Sequence, residues 1–437
     1  MLTAEDNRLL TQVGSGTPMG NLLRRYWHPA LLTWELPEPD SPPVRVRLLG
    51  EDLVAFRDTT GKVGLVANAC PHRGASMFFG RNEESGLRCV YHGWKFDTAG
   101  ACVDMPSEPA ESNFRTKVRI GAYPAHESGG VVWTYMGPPE KQPGFRDLGT
   151  EGMAKEDWFA TKVHSPCNWL QGLEGNVDTA HISYLHRDLR QHLNIDDTDQ
   201  PGNPSTSMSY RIWALDGAPE LEVQDTWYGF RYAGIRNTPN GYKNVRVSDF
   251  FLPYGTYVPY TPVGGDMCIL MVPIDDTSLW RYHIATPRSS YAEARQGPSG
   301  SASAAALATT GPILPRTYNA ANDYRIDRGR QRIELFTGIE SFVSQDFMAT
   351  ESMGPVFDRT GEHLGTTDKA VIRMRRLLLE SVRKLAEGID PPGVDASLPW
   401  RTIRSAERIV EAGEDWRLLG TALDPALQAA ASEMQAG

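Results

Sequence analysis

The sequence contains no run of eighteen apolar residues, so no segment reads as a helix spanning a bilayer. Its first residues, Met1-Leu-Thr-Ala-Glu-Asp6, lack the basic and apolar stretches of a secretory leader. Positive charge is in deficit, with a formal net charge of −10, which argues against nucleic acid and anionic membrane as partners. Cysteine is scarce, five in 437 residues, and Cys102, Cys167 and Cys268 stand too far apart to read as a disulfide framework. A cytoplasmic protein is expected. No G-x-G-x-x-G follows a strand, which removes a flavin or nicotinamide site. No His-Glu-x-x-His exists to make a zinc-protease helix, and no internal repeat is visible. What is present is an ordinary globular composition, 40% hydrophobic and 22% charged, with length enough for two domains.

Read in order, Thr3-Ala-Glu-Asp6 caps a short helix running to Val13. Gly14 to Gly20 breaks it, and residues 21–27 start another helical turn or two. Val44, Val46 and Leu48 alternate with Arg45 and Arg47, the period of a half-buried strand. Further strands are expected at 53–56, 63–67, near 117–120 and at 131–135, before a proline-rich boundary at 137–143. Beyond it, residues 169–189 read as one helix and 196–206 as loop. Strands follow at 221–227, 230–236 and 245–252, with Pro239-Asn-Gly241 as a turn. Residues 289–310 read as a mobile surface loop, and 369–386 as an amphipathic helix with Val371, Met374, Leu377, Leu378 and Val382 on one stripe. Strand runs and helices without a βαβ rhythm predict an α+β fold.

Two constellations carry chemistry. In the first, Cys70-Pro-His72 is answered after a sixteen-residue gap by Cys89-Val-Tyr-His92. Two thiols and two imidazoles form a ligand set suited to an iron–sulfur cluster or to zinc. Each pair sits in a short loop beside a strand-like run, and Gly74 and Gly93 follow the histidines where backbone must approach a bulky cluster. Zinc sites usually place Cys-x-x-Cys first and the histidines later, so alternating Cys-x-His and Cys-x-x-His fits zinc poorly. Trp94, next to the second pair, reads as packing beneath the group held there.

In the second, Glu174-Gly-Asn-Val-Asp178-Thr-Ala-His181 is followed by His186. At about 100° per residue, Glu174, Asp178 and His181 share one helical face, whereas His186 is turned about 140° away from His181. Both imidazoles can meet one ion only if the helix ends, bends or bulges. Two histidines and a carboxylate form the facial triad of non-haem Fe(II) sites, and the candidate carboxylate is Asp346 in Ser344-Gln-Asp-Phe.

The first motif resembles the Rieske motif, in which two thiolates hold one iron of a [2Fe–2S] cluster and two histidines hold the other. With Asn168-Trp-Leu-Gln171, the Glu174–His186 stretch, Gln345-Asp346 and Glu351-Ser-Met-Gly-Pro355, nearly the whole chain is similar to catalytic α subunits of Rieske non-haem iron oxygenases, in their phthalate dioxygenase-like branch. The resemblance implies an N-terminal antiparallel β Rieske domain with the first helices (1–150). A catalytic domain (151–437) with a curved antiparallel sheet and long helices, of helix-grip type, would follow. It implies a [2Fe–2S] cluster on Cys70, His72, Cys89 and His92, and mononuclear Fe(II) on His181, His186 and Asp346. A homotrimer or dimer of trimers is implied, in which Asp178 bridges His181 to His92 of the next subunit. The implied reaction is cis-dihydroxylation of an aromatic carboxylate, phthalate-like or a substituted benzoate, with O2 and electrons from a separate flavin/[2Fe–2S] reductase. Carboxylate receptors would be Arg211 and Arg246, read as lying in strands, with Arg231 and Arg236 less favoured. Thr179 and Ser183 would add hydroxyl contacts. The alternatives are a monooxygenase or O-demethylase on the same machinery, an electron-transfer or ligand-binding module without a working second iron, and a zinc-stabilised interaction protein.

Overall fold

A computed structural model describes residues 2–151, 159–190, 200–260, 265–285, 316–395 and 397–420 of the chain. Helix α1 (Ala4–Thr11) begins where the side chain of Thr3 accepts from the backbone N–H of Asp6, as the sequence spacing predicts. The second helix departs from expectation. α2 spans Pro18–Leu23, starting inside the stretch expected to be a break and ending earlier than expected, because Thr17 caps it and Pro18 occupies a first-turn position where a missing N–H costs nothing. Trp27 therefore starts a strand rather than ending a helix.

The short strands are β1 (Trp27–Leu32), β2 (Val44–Leu48), β3 (Glu51–Arg57), β4 (Val63–Ala67), β5 (Arg81–Glu83), β6 (Gly86–Arg88), β7 (Lys95–Phe96), β8 (Cys102–Asp104), β9 (Ala122–Tyr123), β10 (Ala125–Ser128) and β11 (Val131–Tyr135). They form three sheets, ordered β1-β11-β10, β2-β3-β4-β9 and β5-β6-β7-β8, and every pairing is antiparallel. The strand expected near 117–120 is mostly absent. Val118 and Ile120 do face the core, but Phe114–Lys117 is a 3-10 turn and Arg119 makes only a single bridge, to Ala101.

The rest of the chain builds one large sheet and the helices on it. Its strands are β12 (Phe159–Ser165), β13 (Glu220–Asp225), β14 (Gly229–Asn237), β15 (Lys243–Phe251), β16 (Gly255–Tyr260), β17 (Gly265–Asp275), β18 (Ser278–Ala285) and β19 (Ala406–Val410). The order is β12-β18-β17-β16-β15-β14-β13, with β19 pairing β15 beside β16. The helices are α3 (Trp169–Val177), α4 (Thr206–Leu215), α5 (Arg328–Ile333), α6 (Phe342–Glu351) and α7 (Lys369–Ala386). The architecture is α+β. The expected loop at 289–310 and the first four residues of that at 196–206 lie outside the described residues; 200–205 form no helix or strand, and Thr206 begins a helix.

α7 buries Val371, Met374, Leu377, Leu378 and Val382, each worth about 2 kcal/mol against exposure. It packs on β13 and on α1 and α2, so the first two helices lie against the part of the molecule that carries the large sheet.

α3 and α6 lie on the same face of the large sheet. Arg281 on β18 donates from Nη2 to Thr350 Oγ1 of α6 at 2.6 Å, and Asn176 of α3 bonds Thr256 on β16. The register places Thr161, Val163, His283, Arg281, Ile269, Thr256, Ser248, Tyr232, Arg246 and Gly234 on this face, because directly opposed residues share a side. The expected helix over 169–189 stops at Val177. Asp178 leaves helical geometry at ψ 122°, and its Oδ1 accepts from Ala180 N–H at 2.7 Å, starting a separate 3-10 turn, His181–Ser183.

Candidate metal centres

The loops carrying Cys70/His72 and Cys89/His92 share one construction. Gly74 N–H donates to Cys70 O at 2.8 Å and Gly93 N–H to Cys89 O at 3.0 Å. Both turns need a residue at positive φ, +76° at Gly74 and +78° at Gly93, which glycine supplies without strain. The thiols are buried next to each other, and burial pushes the Cys70 thiol up to about 11, so its thiolate needs a cation to stabilise it. The imidazoles form a second pair, ring centroids 4.3 Å apart, and buried Nδ1 of His72 has no hydrogen-bond partner. Trp94 lies flat on His72 (4.3 Å, 12°) and donates Nε1–H to Ser107 Oγ at 3.0 Å.

The four donors do not gather on one point. Among the described residues, the one set of three or more ligand atoms within 4.8 Å of one another is His181, His186 and Asp346. A tetrahedral zinc would draw its four ligands into such a set. A thiol pair and a separate imidazole pair instead fit a two-iron cluster, whose unpaired His72 nitrogen would be a ligand.

At the second centre the helix end does what a regular helix cannot. The rings of His181 and His186 stand 5.3 Å apart, and their Nε2 atoms lie 3.5 and 3.2 Å from the same Asp346 oxygen. α6 meets them with three residues of one face. Phe342 stacks on His186 (3.6 Å, 14°), Gln345 Oε1 lies 2.7 Å from His186 Nδ1, and Asp346 supplies the carboxylate. Gln345 in turn donates Nε2–H to Ile339 O at 2.7 Å. Burial works against the Asp346 carboxylate, but His186 and His181 outweigh it and hold its pKa below the usual range. For His181 burial opposes protonation, yet Asp178 and Asp346 raise the pKa above the ordinary value. Asp178 Oδ2 stands 3.6 Å from His181 Nδ1, a charge contact too long for a hydrogen bond. Two imidazoles and one carboxylate converging in this way could hold a ferrous ion.

Other residues singled out from the sequence take different places. Glu174 faces away from the ion site, because helical spacing ends at Val177. It is a buried anchor, accepting from Arg359 at 2.7 and 2.8 Å and from Arg375 at 2.6 Å. Arg211 lies on a helix rather than a strand. Ser205 caps α4, which packs on the His181–Ser183 turn, and Arg211 is half-buried with no ion pair or hydrogen bond among the described residues. Arg246 does lie in a strand on the inner face, its Nη1 donating to Glu407 at 2.8 Å and its Nη2 to Pro259 O at 3.0 Å. Arg231 points to the opposite face, beside buried Asp249 at 3.4 Å. Arg236 is fully buried and donates to Thr179 O (2.9 Å), Ser183 Oγ (3.1 Å) and Asp216 O (3.1 Å), bracing the turn that carries His181. Burial lowers its pKa to about 10. Gly234 makes room for this brace, since a Cβ there would sit 2.8 Å from the Thr179 methyl. Thr179 Oγ1 is buried without a partner. The roles of Gln345, Phe342 and Arg236 are not written in residue type, though Gln345 borders the carboxylate in sequence.

Two family models match the chain: "Rieske [2Fe-2S] domain" over residues 26–124 and "LigXa C-terminal domain like" over residues 134–436. The chain belongs to the Rieske non-haem iron oxygenases. Among relatives, it is 39% identical to a phthalate 4,5-dioxygenase oxygenase subunit of Pseudomonas putida over 95% of this chain and 94% of that one. It is 37% identical to a 3-chlorobenzoate-3,4-dioxygenase oxygenase subunit of Comamonas testosteroni, covering 95% and 97%. A 5,5'-dehydrodivanillate O-demethylase oxygenase subunit of a Sphingobium species is 33% identical, covering 92% and 87%. Among solved structures, Pseudomonas putida CBB5 NdmA with caffeine shares the fold at a TM-score of 0.57 and 16% identity, covering 91% of this chain and all of that one. As a Rieske oxygenase α subunit, the protein works with a [2Fe–2S] cluster and a mononuclear iron. No helix among the described residues is long and apolar enough to cross a membrane.

Proposed function

We propose that this Rieske oxygenase cis-dihydroxylates an aromatic carboxylate, phthalate-like or a substituted benzoate, with electrons from a separate flavin/[2Fe–2S] reductase. In this reading Cys70, His72, Cys89 and His92 hold the cluster, within residues 1–150, and His181, His186 and Asp346 hold iron, within 151–437. The convergence of those last three on one point carries the reading, and relatives named for ring carboxylates match over nearly their whole length. When bound, the two metal groups would supply electrons and O2 activation.

The protein's own part is placement. Gln345 fixes the His186 tautomer by accepting from Nδ1–H, which turns the Nε2 lone pair toward Asp346. Asp178 faces the corresponding nitrogen of His181 and is the carboxylate that links this ring to His92 of a neighbouring subunit. The assembly is a homotrimer or a dimer of trimers. Exposed Phe79, Val90, Tyr91 and Phe114 around the cluster loops, and exposed Tyr184, Ile333 and Phe336 beside the iron-site turn, give two apolar faces for that contact. Arg211, unpaired and carried on a helix against the His181 turn, receives the substrate carboxylate. Arg246 flanks it from the sheet while tied to Glu407, and Thr179 offers a free hydroxyl, whereas Ser183 Oγ is taken by Arg236. The protein resides in the cytoplasm.

Mass spectrometry of products from purified enzyme, a surrogate reductase, NADH and a panel of phthalate isomers and benzoates tests this; absence of any diol overturns it. The O-demethylase likeness supports a second reading, monooxygenation of a ring ether, which formaldehyde release would separate from diol formation.

A further inference from the structure

Two polar side chains on the inner face of the sheet each carry a buried atom with nothing to bond. Thr161 on β12 and His283 on β18 are directly opposed in the ladder, so their side chains stand together. Thr161 is 9% exposed and its Oγ1 has no hydrogen-bond partner. Nδ1 of His283 is sealed from solvent without one, and neither ring nitrogen is hydrogen-bonded among the described residues. Leaving such groups bare is costly, so an adjacent pair of them marks a place built for something else to occupy.

The pair borders the iron site. Arg281, one pleat before His283 on the same face, donates to Thr350 Oγ1 at 2.6 Å, and Thr350 donates to Asp346 O one turn earlier in α6 at 2.8 Å. Asp346 acts electrostatically on the His283 imidazole, which places the two side chains near each other. Ile269 on β17 flanks the imidazole with apolar surface.

We infer that Thr161 and His283 form a polar subsite of the substrate pocket that takes a ring hydroxyl, making the substrate a hydroxylated aromatic carboxylate. The inference rests on the proposed aromatic-carboxylate reading and narrows it. A neutral imidazole offers one N–H donor and one lone pair. A phenolic O–H donates to the Nδ1 lone pair while its oxygen accepts from the Thr161 hydroxyl, so one group satisfies both buried atoms. A second carboxylate there would add negative charge near Asp346.

The test is calorimetric binding to the metal-loaded enzyme under anaerobic conditions. The probes are benzoate, the three hydroxybenzoates, phthalate and 4-hydroxyphthalate, measured with wild type, Thr161→Val and His283→Leu. Wild type is expected to bind at least one hydroxy acid roughly tenfold tighter than its parent. Each variant is expected to lose that preference. Equal affinity of every hydroxy acid and its parent in wild type, or a preference that survives in both variants, overturns the subsite alone. Wild type binding none of these acids overturns the aromatic-carboxylate reading and the subsite with it. Thr161→Val is nearly isosteric, so a misfolded His283→Leu does not blunt the test.

Discussion

Gln345 Oε1 sits 2.7 Å from Nδ1 of His186, and the Gln345 amide is itself oriented by the carbonyl of Ile339. That contact decides which imidazole nitrogen carries the proton and leaves the other free for a metal. Gln345→Leu keeps the side-chain volume and removes the acceptor. Mononuclear iron affinity is expected to fall about 10- to 100-fold, with the cluster spectrum unaltered. Iron retained against a graded chelator measures it, and wild-type retention would show that His186 is oriented by packing on Phe342 alone.

The candidate ligand residues were legible because their chemistry resides in residue type and spacing: few other arrangements explain Cys70-x-His72 followed by Cys89-x-x-His92. The route by which His181 and His186 meet was not. Apolar positions continue through Ile182 and Leu185 as if the helix ran on, and the Asp178–Ala180 hydrogen bond that ends it is local chemistry competing with that pattern. Arg211 misled in the opposite direction. Ser209-Tyr-Arg-Ile-Trp213 alternates like a strand, but Ile212 and Trp213 both bury and the Ser205 cap commits the segment to a helix. Strand register was beyond reach where the pairing is long-range, and with it the facing of Thr161 and His283.

Asp178 accepts a hydrogen bond from Ala180 N–H and turns its second oxygen toward His181. Asp178→Asn preserves shape and loses the charge. Both metals are expected to load as in wild type, while turnover drops by about 100-fold or more. Iron content together with the rate at which the reduced cluster is reoxidised separates the outcomes. Near-wild-type reoxidation would remove Asp178 from the electron path.

His28 is fully buried, contacting the Tyr254 hydroxyl through Nδ1 and Leu23 O through Nε2. Burial, with Arg24 and Arg146 nearby, lowers its pKa to about 3. Its unfolded value is about 6.5, so between those limits the unfolded chain binds the extra proton and acid favours unfolding. The contribution of this group is complete near pH 7 and declines as pH falls, by about 2 kcal/mol at pH 5. Urea unfolding at pH 7 and pH 5 measures the loss, and His28→Gln is expected to reduce it. An identical loss in the variant would assign the acid sensitivity to other groups.

Arg211 and Arg246 should part company when neutralised. Arg211 has no partner among the described residues, so Arg211→Gln is expected to leave thermal stability unchanged while raising the KM for a carboxylated ring about tenfold or more. Arg246 is joined to Glu407, which is buried and also accepts from Asn244 and Trp213. Arg246→Gln strands that carboxylate, at a cost of about 3–5 kcal/mol, so stability should fall along with any change in KM. A double variant, Arg246→Gln with Glu407→Gln, removes both charges and is expected to regain stability without regaining substrate affinity. Denaturant midpoints and steady-state kinetics on the same four proteins decide it. Wild-type KM values in both Arg211→Gln and the double variant would end the assignment of either guanidinium to the substrate.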